Sequence, residues 1–294
     1  MAEHPPWLRF QAYVVGLPKT GSTSMATLFG NYRTGHEWQL MELLGPAMAR
    51  RRGEVDDEEF LRSTGHRFVP PSLEMDSTTS HHLYADLLSR TFPHAVFFHT
   101  VRDVRSWVTS LLDMSLRKRL GRKLLGLGFS PVEIEYVASR TEGAYDVDRD
   151  DREDDRAALP PLMRSWAGHL REMAATLPPA RTMRLRTRDI PRLLPEIAAH
   201  VGVPVSTLRA DLSHANRAPH RFDRFAAFDG DELRAAYDVH CADLMADLFP
   251  EEHAAFVSRA PGGDGASLDW AAYVESVRAY ATDAVARYGP SATR

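Results

Sequence analysis

Apolar residues fall along this chain in two rhythms. Short runs rich in β-branched and aromatic residues occur at 11–17 (QAYVVGL), near 68–75 (FVPPSLEM) and at 95–101 (AVFFHTV), each of strand length. Between and after them the apolar positions recur at helical spacing, which predicts helices over 22–31, 37–50, 54–63, 80–91, 103–119, 160–177, 190–201, 231–248 and 268–288. In the helix over 103–119, for example, Trp107, Leu111 and Met114 share one face. Strands alternating with helices predict an α/β fold of three layers, α/β/α, with a central parallel sheet and right-handed crossovers.

Two segments interrupt the pattern. Residues 146–156 (DVDRDDREDDR) hold no apolar member after Val147 and read as a loop with nothing to bury. Gly262-Gly263-Asp264-Gly265 reads as a linker before the last helix. At 294 residues the chain is expected to form a single domain, with a variable insertion at about 117–160 and a C-terminal helical extension at about 266–290.

Composition narrows the class without deciding it. Hydrophobic residues at 44% and charged residues at 26% are those of a soluble globular protein. The net charge of −4 argues against nucleic acid as a partner, although 117–123 (RKRLGRK) is locally basic and reads as a solvated helix end. No apolar run reaches the ~18 residues of a membrane span, and the first ten residues lack the basic and apolar regions of a signal peptide. The expected location is therefore cytoplasmic. The lone Cys241 excludes an intrachain disulfide, and its place in a helical pattern makes it a buried structural thiol. Richness in Ala, Arg and Asp gives the impression of a GC-rich bacterial genome.

Chemistry enters where the first strand ends. Val14-Val15 runs into Gly16-Leu17-Pro18-Lys19-Thr20-Gly21-Ser22-Thr23-Ser24, and Met25, Leu28 and Phe29 then open a helical pattern. Strand, loop and helix in that order aim free amides and the positive end of a helix dipole at one point, which suits an anion. Gly16 and Gly21 have the glycine spacing of a Walker A loop, but Ser22 follows Gly21 and the lysine sits inside the loop at Lys19. The pattern is therefore not that of a magnesium-dependent nucleoside triphosphatase. No GxGxxG dinucleotide fingerprint follows the strand either.

A second strand-to-helix junction lies about eighty residues on, where 95–101 runs into Arg102-Asp103. Asp103 is a suitable N-cap, and Arg102 stands at the carboxyl end of a strand, the edge where open α/β sheets bind ligands. Ser106 and Ser110 follow four apart on one helix face. An arginine fork with an aligned hydroxyl suits a terminal phosphate; a capping Arg-Asp pair with a buried helix serine is the plainer alternative.

These two motifs, in this order, resemble those of the sulfotransferases that use 3′-phosphoadenosine 5′-phosphosulfate (PAPS). The loop P-K-T-G-S-T-S is similar to the family's 5′-phosphosulfate loop, and Arg102 with Ser110 eight residues later matches the pair that holds the 3′-phosphate. Met183–Ile190, leading to Ile197–Pro204, resembles the family's fourth strand and following helix, although Thr187 and Arg188 stand where an aromatic and a glutamate are usual. Leu233, Tyr237, His240 and Leu244 resemble its closing helix. The likeness covers roughly 10–45, 68–115 and 165–250.

The resemblance implies the P-loop NTPase-like sulfotransferase fold, PAPS as co-substrate with 3′-phosphoadenosine 5′-phosphate (PAP) as product, no metal, and a small-molecule hydroxyl acceptor, for example a bacterial secondary metabolite. It implies Lys19 as the cation for the leaving phosphate, Thr20, Gly21, Ser22, Thr23 and Ser24 as the 5′-phosphate cradle, Arg102 and Ser110 at the 3′-phosphate, and Arg217, beside Asn216, as a loop contact to the cofactor. Two carboxylates are candidates for the base. Glu37 follows the loop's helix beside Trp38, but Thr34-x-x-Glu37 also reads as a capping box for the helix over 37–50. Asp76 ends the second strand, where an N-cap or Asx-turn is the alternative. His36 reads as structural. His81 and His82 are adjacent, so their rings point apart, and no metal-ligand spacing is evident. The residues leave two other readings open: a P-loop-type small-molecule kinase or nucleotide hydrolase, and a catalytically inactive PAP-binding protein.

Overall fold

The structure is a computed structural model that describes residues 8–68, 72–141, 152–212 and 230–258, with a few positions between 274 and 286. It divides into two compact units, Met1–Arg102 with His169–Arg217, and Asp103–Gly168 with Ala218–Arg294.

The first unit is built on a five-stranded, all-parallel sheet. Its strands are β1 (Ala12–Val15), β2 (Thr34–His36), β3 (Met75–Ser77), β4 (Val96–Val101) and β5 (Thr182–Arg186), in the order β2-β3-β1-β4-β5. β1 (AYVV) is buried at every position, as a central parallel strand covered on both faces must be. One face carries α1 (Ser22–Leu28) and α8 (Leu194–Val201), whose Met25, Leu28, Ile197, Ala198 and Val201 form a core with Val14, Met75, Phe98 and Leu185. On the other face Tyr13 meets His81 and Phe97, and His99 meets His169. Three layers result, as the alternation of strands and helices predicts.

Helices α2 (Leu40–Arg51), α3 (Asp57–Phe68) and α4 (Ala85–Thr91) complete the first unit between its strands. Several boundaries differ from the sequence expectation. The segment Thr34–His36 is a strand, paired with Met75–Ser77, and α2 starts only at Leu40 after Gln39. The expected capping box therefore does not form: Thr34 lies in the sheet, and Glu37 has a left-handed backbone with φ 54°. β2 has three residues and one of them is glycine, too little for a periodic signal. The helix expected over 80–91 is a 3₁₀ turn at Thr79–Leu83 followed by α4.

The second unit is helical among its described residues: α5 (Val104–Leu124), α6 (Pro131–Thr141), most of α7 (Arg152–Thr176), α9 (Gly230–His240), α10 (Ala242–Leu248) and α11 (Pro250–Val257). Of the acidic run 146–156, expected as a loop, residues 152–156 are helical at the start of α7, and 146–151 lie outside the described residues. Trp166 packs on Phe249, and Tyr237 stacks on Phe256 at 4.0 Å with its hydroxyl 2.8 Å from His253 Nδ1. Cys241 is fully buried, its thiol directed at the Met163 carbonyl. No helix among the described residues is long and apolar enough to cross a membrane.

Candidate functional site

β1 lies between β3 and β4, so the connection from β1 leads toward one edge of the sheet, to β2, and the connection from β4 leads toward the other, to β5. Such a switch point opens a crevice at the carboxyl edge. The loop after Val15 enters it at Gly16, where a Cβ would lie 2.3 Å from Thr100 Oγ1 and 2.7 Å from the Thr100 carbonyl. Only glycine allows the loop to run this close to β4. Lys19 (φ 71°) and Gly21 (φ 112°) are both left-handed, around a Thr20 that is not. Alternating handedness turns successive N–H groups toward one side, a concavity suited to an anion. Gly21 is the N-cap of α1 and has no side chain, so no side-chain cap bond comes from that position.

The strained backbone at Lys19 is held by its neighbours. Thr20 Oγ1 donates to the Leu17 carbonyl (2.7 Å) and lies 2.9 Å from Thr100 Oγ1. A hydroxyl has one hydrogen, so the Thr100 hydroxyl is the donor in that second bond. Arg102 Nη1 donates to the Lys19 carbonyl at 3.2 Å. From the turn that follows β5, the Thr187 hydroxyl reaches the carbonyls of Thr20 (2.5 Å) and Val101 (3.1 Å). Three strand ends thus converge on the loop. Thr187, expected only as a departure from an aromatic, is one of its anchors. Beyond it, buried Asp189 takes the guanidinium groups of Arg186 and Arg192; burial alone would raise its carboxyl, but these partners hold it below the ordinary range.

β2 and β3 approach the loop from the other side. Ser77 Oγ donates to the Ser22 carbonyl (2.8 Å). His36 Nε2 lies 3.2 Å from Ser22 Oγ and 3.0 Å from Thr23 Oγ1. Glu37 donates its N–H to the Ser77 carbonyl (3.2 Å), and its Oε1 accepts the Thr79 N–H (3.1 Å) and stands 4.0 Å from His36 Nε2. The Glu37 side chain is 25% exposed, and Trp38 and Met41, which follow it in the chain, are exposed as well. Asp76 is different. Met75 and Ser77 face α1, so alternation turns Asp76 to the opposite face of the sheet. There it is buried, accepting from Thr78 Oγ1 (2.9 Å) and lying 3.4 Å from His81 Nε2. His81 Nδ1, facing the Val14 carbonyl at 2.9 Å, carries a hydrogen because a carbonyl only accepts.

The sequence expectations therefore divide. Lys19, Thr20, Gly21, Ser22, Thr23, Ser24, Arg102 and Glu37 belong to one edge of the first unit. Asp76 comes from the same edge but points through the sheet. Ser110 lies half-buried on α5, in the second unit. Asp103 caps α5 as expected, accepting from the Ser106 N–H (2.9 Å) and from the Ser106 hydroxyl, which ties that serine to the cap. Arg217 and Asn216 lie outside the described residues. Sequence reasoning did not find Thr100, Ser77 or Thr187; each acts through a bond to a residue far along the chain, and no local pattern marks it.

Behind the edge, His82, His99 and His169 form a buried group with ring centroids 5.5 Å and 5.4 Å apart. Burial, helped by the nearby Arg184 charge, pushes His99 down to about 3, so it is neutral. No cluster of three or more metal-ligating side chains suited to a metal occurs among the described residues. A cavity of about 520 Å³ lies against α2, α4 and α7, where Arg50 bridges Asp57 and Asp86 at 2.7 Å each. Its charges are already paired.

No protein-family model matches the chain, and no curated protein matches it. Among solved structures, it is similar to a sulfotransferase domain from the curacin biosynthetic pathway, at 14% identity and a TM-score of 0.37 over 78% of this chain and 89% of that one. It is also similar to the sulfotransferase STF9 from Mycobacterium avium, at 15% identity and a TM-score of 0.45 over 83% of this chain and 78% of that one.

Proposed function

We propose that this chain is a sulfotransferase that moves a sulfuryl group from PAPS to a hydroxyl of a small-molecule acceptor. One observation carries the reading: the Lys19 loop and Arg102, the two phosphate-type motifs of the sequence, meet at a single sheet edge through the bond from Arg102 to the Lys19 carbonyl. The fit of an adenosine bisphosphate skeleton to this edge is supported by the Gly16 close approach, by the paired left-handed residues Lys19 and Gly21, and by the loop hydroxyls.

PAPS supplies the sulfuryl donor; this chain's residues supply position, charge and a base. The loop from Thr20 to Ser24 holds the 5′-phosphate, and Lys19 neutralises the charge that grows on the bridging oxygen as the sulfur–oxygen bond breaks. Arg102 holds the 3′-phosphate. Glu37 takes the acceptor's hydroxyl proton as the new oxygen–sulfur bond forms. Partial exposure supports Glu37 over the buried Asp76, whose carboxylate already accepts from Thr78. The exposed Trp38 and Met41, which follow Glu37 in the chain, favour an acceptor with an apolar part. No metal enters this scheme. The test is transfer of label from sulfur-labelled PAPS to a pool of small hydroxyl compounds. Wild-type protein should label at least one of them, and Lys19→Ala should label none; a protein that hydrolyses ATP with magnesium and ignores PAPS is instead a nucleotide hydrolase.

A further inference from the structure

We propose that His36 is a positioning residue of the phosphate loop, one that sets the Ser22 and Thr23 hydroxyls as donors to the 5′-phosphate; this rests on the reading of the loop as a PAP and PAPS site. His36 ends β2, and its Nε2 is within hydrogen-bond reach of both hydroxyl oxygens, 3.2 Å from Ser22 Oγ and 3.0 Å from Thr23 Oγ1.

A ring nitrogen offers either one lone pair or one N–H. As an acceptor, Nε2 would draw the hydroxyl hydrogens toward itself and away from the loop's concavity. As a donor, it shares one N–H between the two oxygens and leaves both hydroxyl hydrogens for an outside acceptor. A phosphate only accepts, so the donor form of His36 is the one that matches a phosphate in the loop. Imidazole thus biases the direction of both hydroxyls from one nitrogen.

The clamp is built from the sheet as well. His36 pairs with Ser77 across β2 and β3, and Ser77 Oγ holds the Ser22 carbonyl at 2.8 Å. Both ends of Ser22 are therefore tied to adjacent strands, its carbonyl by Ser77 and its hydroxyl by His36. Glu37 Oε1 flanks the ring at 4.0 Å and is itself anchored by the Thr79 N–H. His36 thereby stands between the phosphate loop and the carboxylate assigned as base.

Calorimetric titration with adenosine 3′,5′-bisphosphate and with adenosine 3′-monophosphate separates this role from a packing role. His36→Ala should weaken the bisphosphate about tenfold, the scale of a lost hydrogen bond to a charged group, and leave the 3′-monophosphate unchanged. His36→Gln, whose amide is also a donor, should recover most of the loss. In a Ser22→Ala, Thr23→Ala background, His36→Ala should have no further effect. Unchanged bisphosphate affinity in His36→Ala, or an equal loss for both ligands, overturns the proposal. Should His36→Ala not fold, a Ser22→Ala, Thr23→Ala protein that binds the bisphosphate as tightly as wild type overturns it equally. Wild-type protein that binds neither nucleotide removes the sulfotransferase reading and this inference together. Wild type that binds the bisphosphate indifferently to position 36 removes this inference alone.

Discussion

The Arg102 guanidinium donates to the Lys19 carbonyl, joining positions 83 apart in the chain at 3.2 Å. The bond makes Arg102 part of the loop's scaffold as well as a candidate phosphate ligand. Arg102→Lys keeps the charge but loses the planar fork, and Arg102→Ala loses both. Affinity for adenosine 3′,5′-bisphosphate should fall about tenfold in the first and about a hundredfold in the second, measured by calorimetry. Equal affinities in all three proteins would separate Arg102 from the ligand.

Gly16→Ala tests the close approach of the loop to β4. The new methyl would meet Thr100 Oγ1 at 2.3 Å and the Thr100 carbonyl at 2.7 Å, and the second contact is backbone that cannot rotate away. A loss of about 2 kcal/mol or more is expected in urea unfolding, the cost of forcing atoms into a packed site. Adding Thr100→Ala should relieve only part of it, because the carbonyl remains.

The two carboxylates should behave oppositely on substitution. Glu37→Gln should leave nucleotide affinity near wild type and lower turnover by about a hundredfold or more, as loss of a general base does. Asp76→Asn should act on stability, by about 1–3 kcal/mol, because a buried carboxylate between Thr78 and His81 is replaced. A dead Asp76→Asn enzyme that folds normally, paired with an active Glu37→Gln, would exchange the two assignments.

Acid should destabilise the protein in two stages. Burial alone would raise the Glu74 carboxyl, but the hydrogen bonds from Arg9 (2.8 Å) and from the Arg33 and Arg9 amides hold it down to about 2 from 4.5. That stabilisation is complete above pH 4.5 and is lost as pH falls from there through about 2. His99 shifts down as well, from 6.5 to about 3, through burial and then Arg184. The unfolded chain takes up that proton first, so stability declines from pH 6.5 downward until about 3. His99→Leu should flatten the dependence of unfolding free energy on pH between 6.5 and 5, by up to about 1.4 kcal/mol per pH unit. An identical slope in the two proteins would show that His99 is charged or exposed in the folded state.

What the sequence made legible follows from what each residue needs around it. β1 is a continuous apolar run and β4 opens on one, because both faces of a central parallel strand are covered, and the glycines and hydroxyls after β1 mark the loop directly. Asp103 shows as an N-cap because capping is local, and its bond to the Ser106 amide spans three residues. β2 was hidden. Its three residues form a strand only because Met75–Ser77 pairs with them, and the three-position spacing from Thr34 to Glu37 mimics a helix start. Asp76 shows the limit in the other direction: its place at a strand end is legible, while the face it points to depends on where the strand begins, and a shift of one residue reverses it. Thr187 and His36 act on the loop from 167 and 13 or 14 positions away, and no periodicity records such contacts.

The central claim is that the Lys19 loop and the Arg102 edge form one site for an adenosine bisphosphate. Titration of the wild-type protein with adenosine 3′,5′-bisphosphate in the absence of magnesium tests it most directly. Saturable one-to-one binding is expected, which Lys19→Ala and Arg102→Ala each weaken and which ATP with magnesium does not displace. No heat of binding with the bisphosphate, or binding of ATP that requires magnesium in its place, would contradict it.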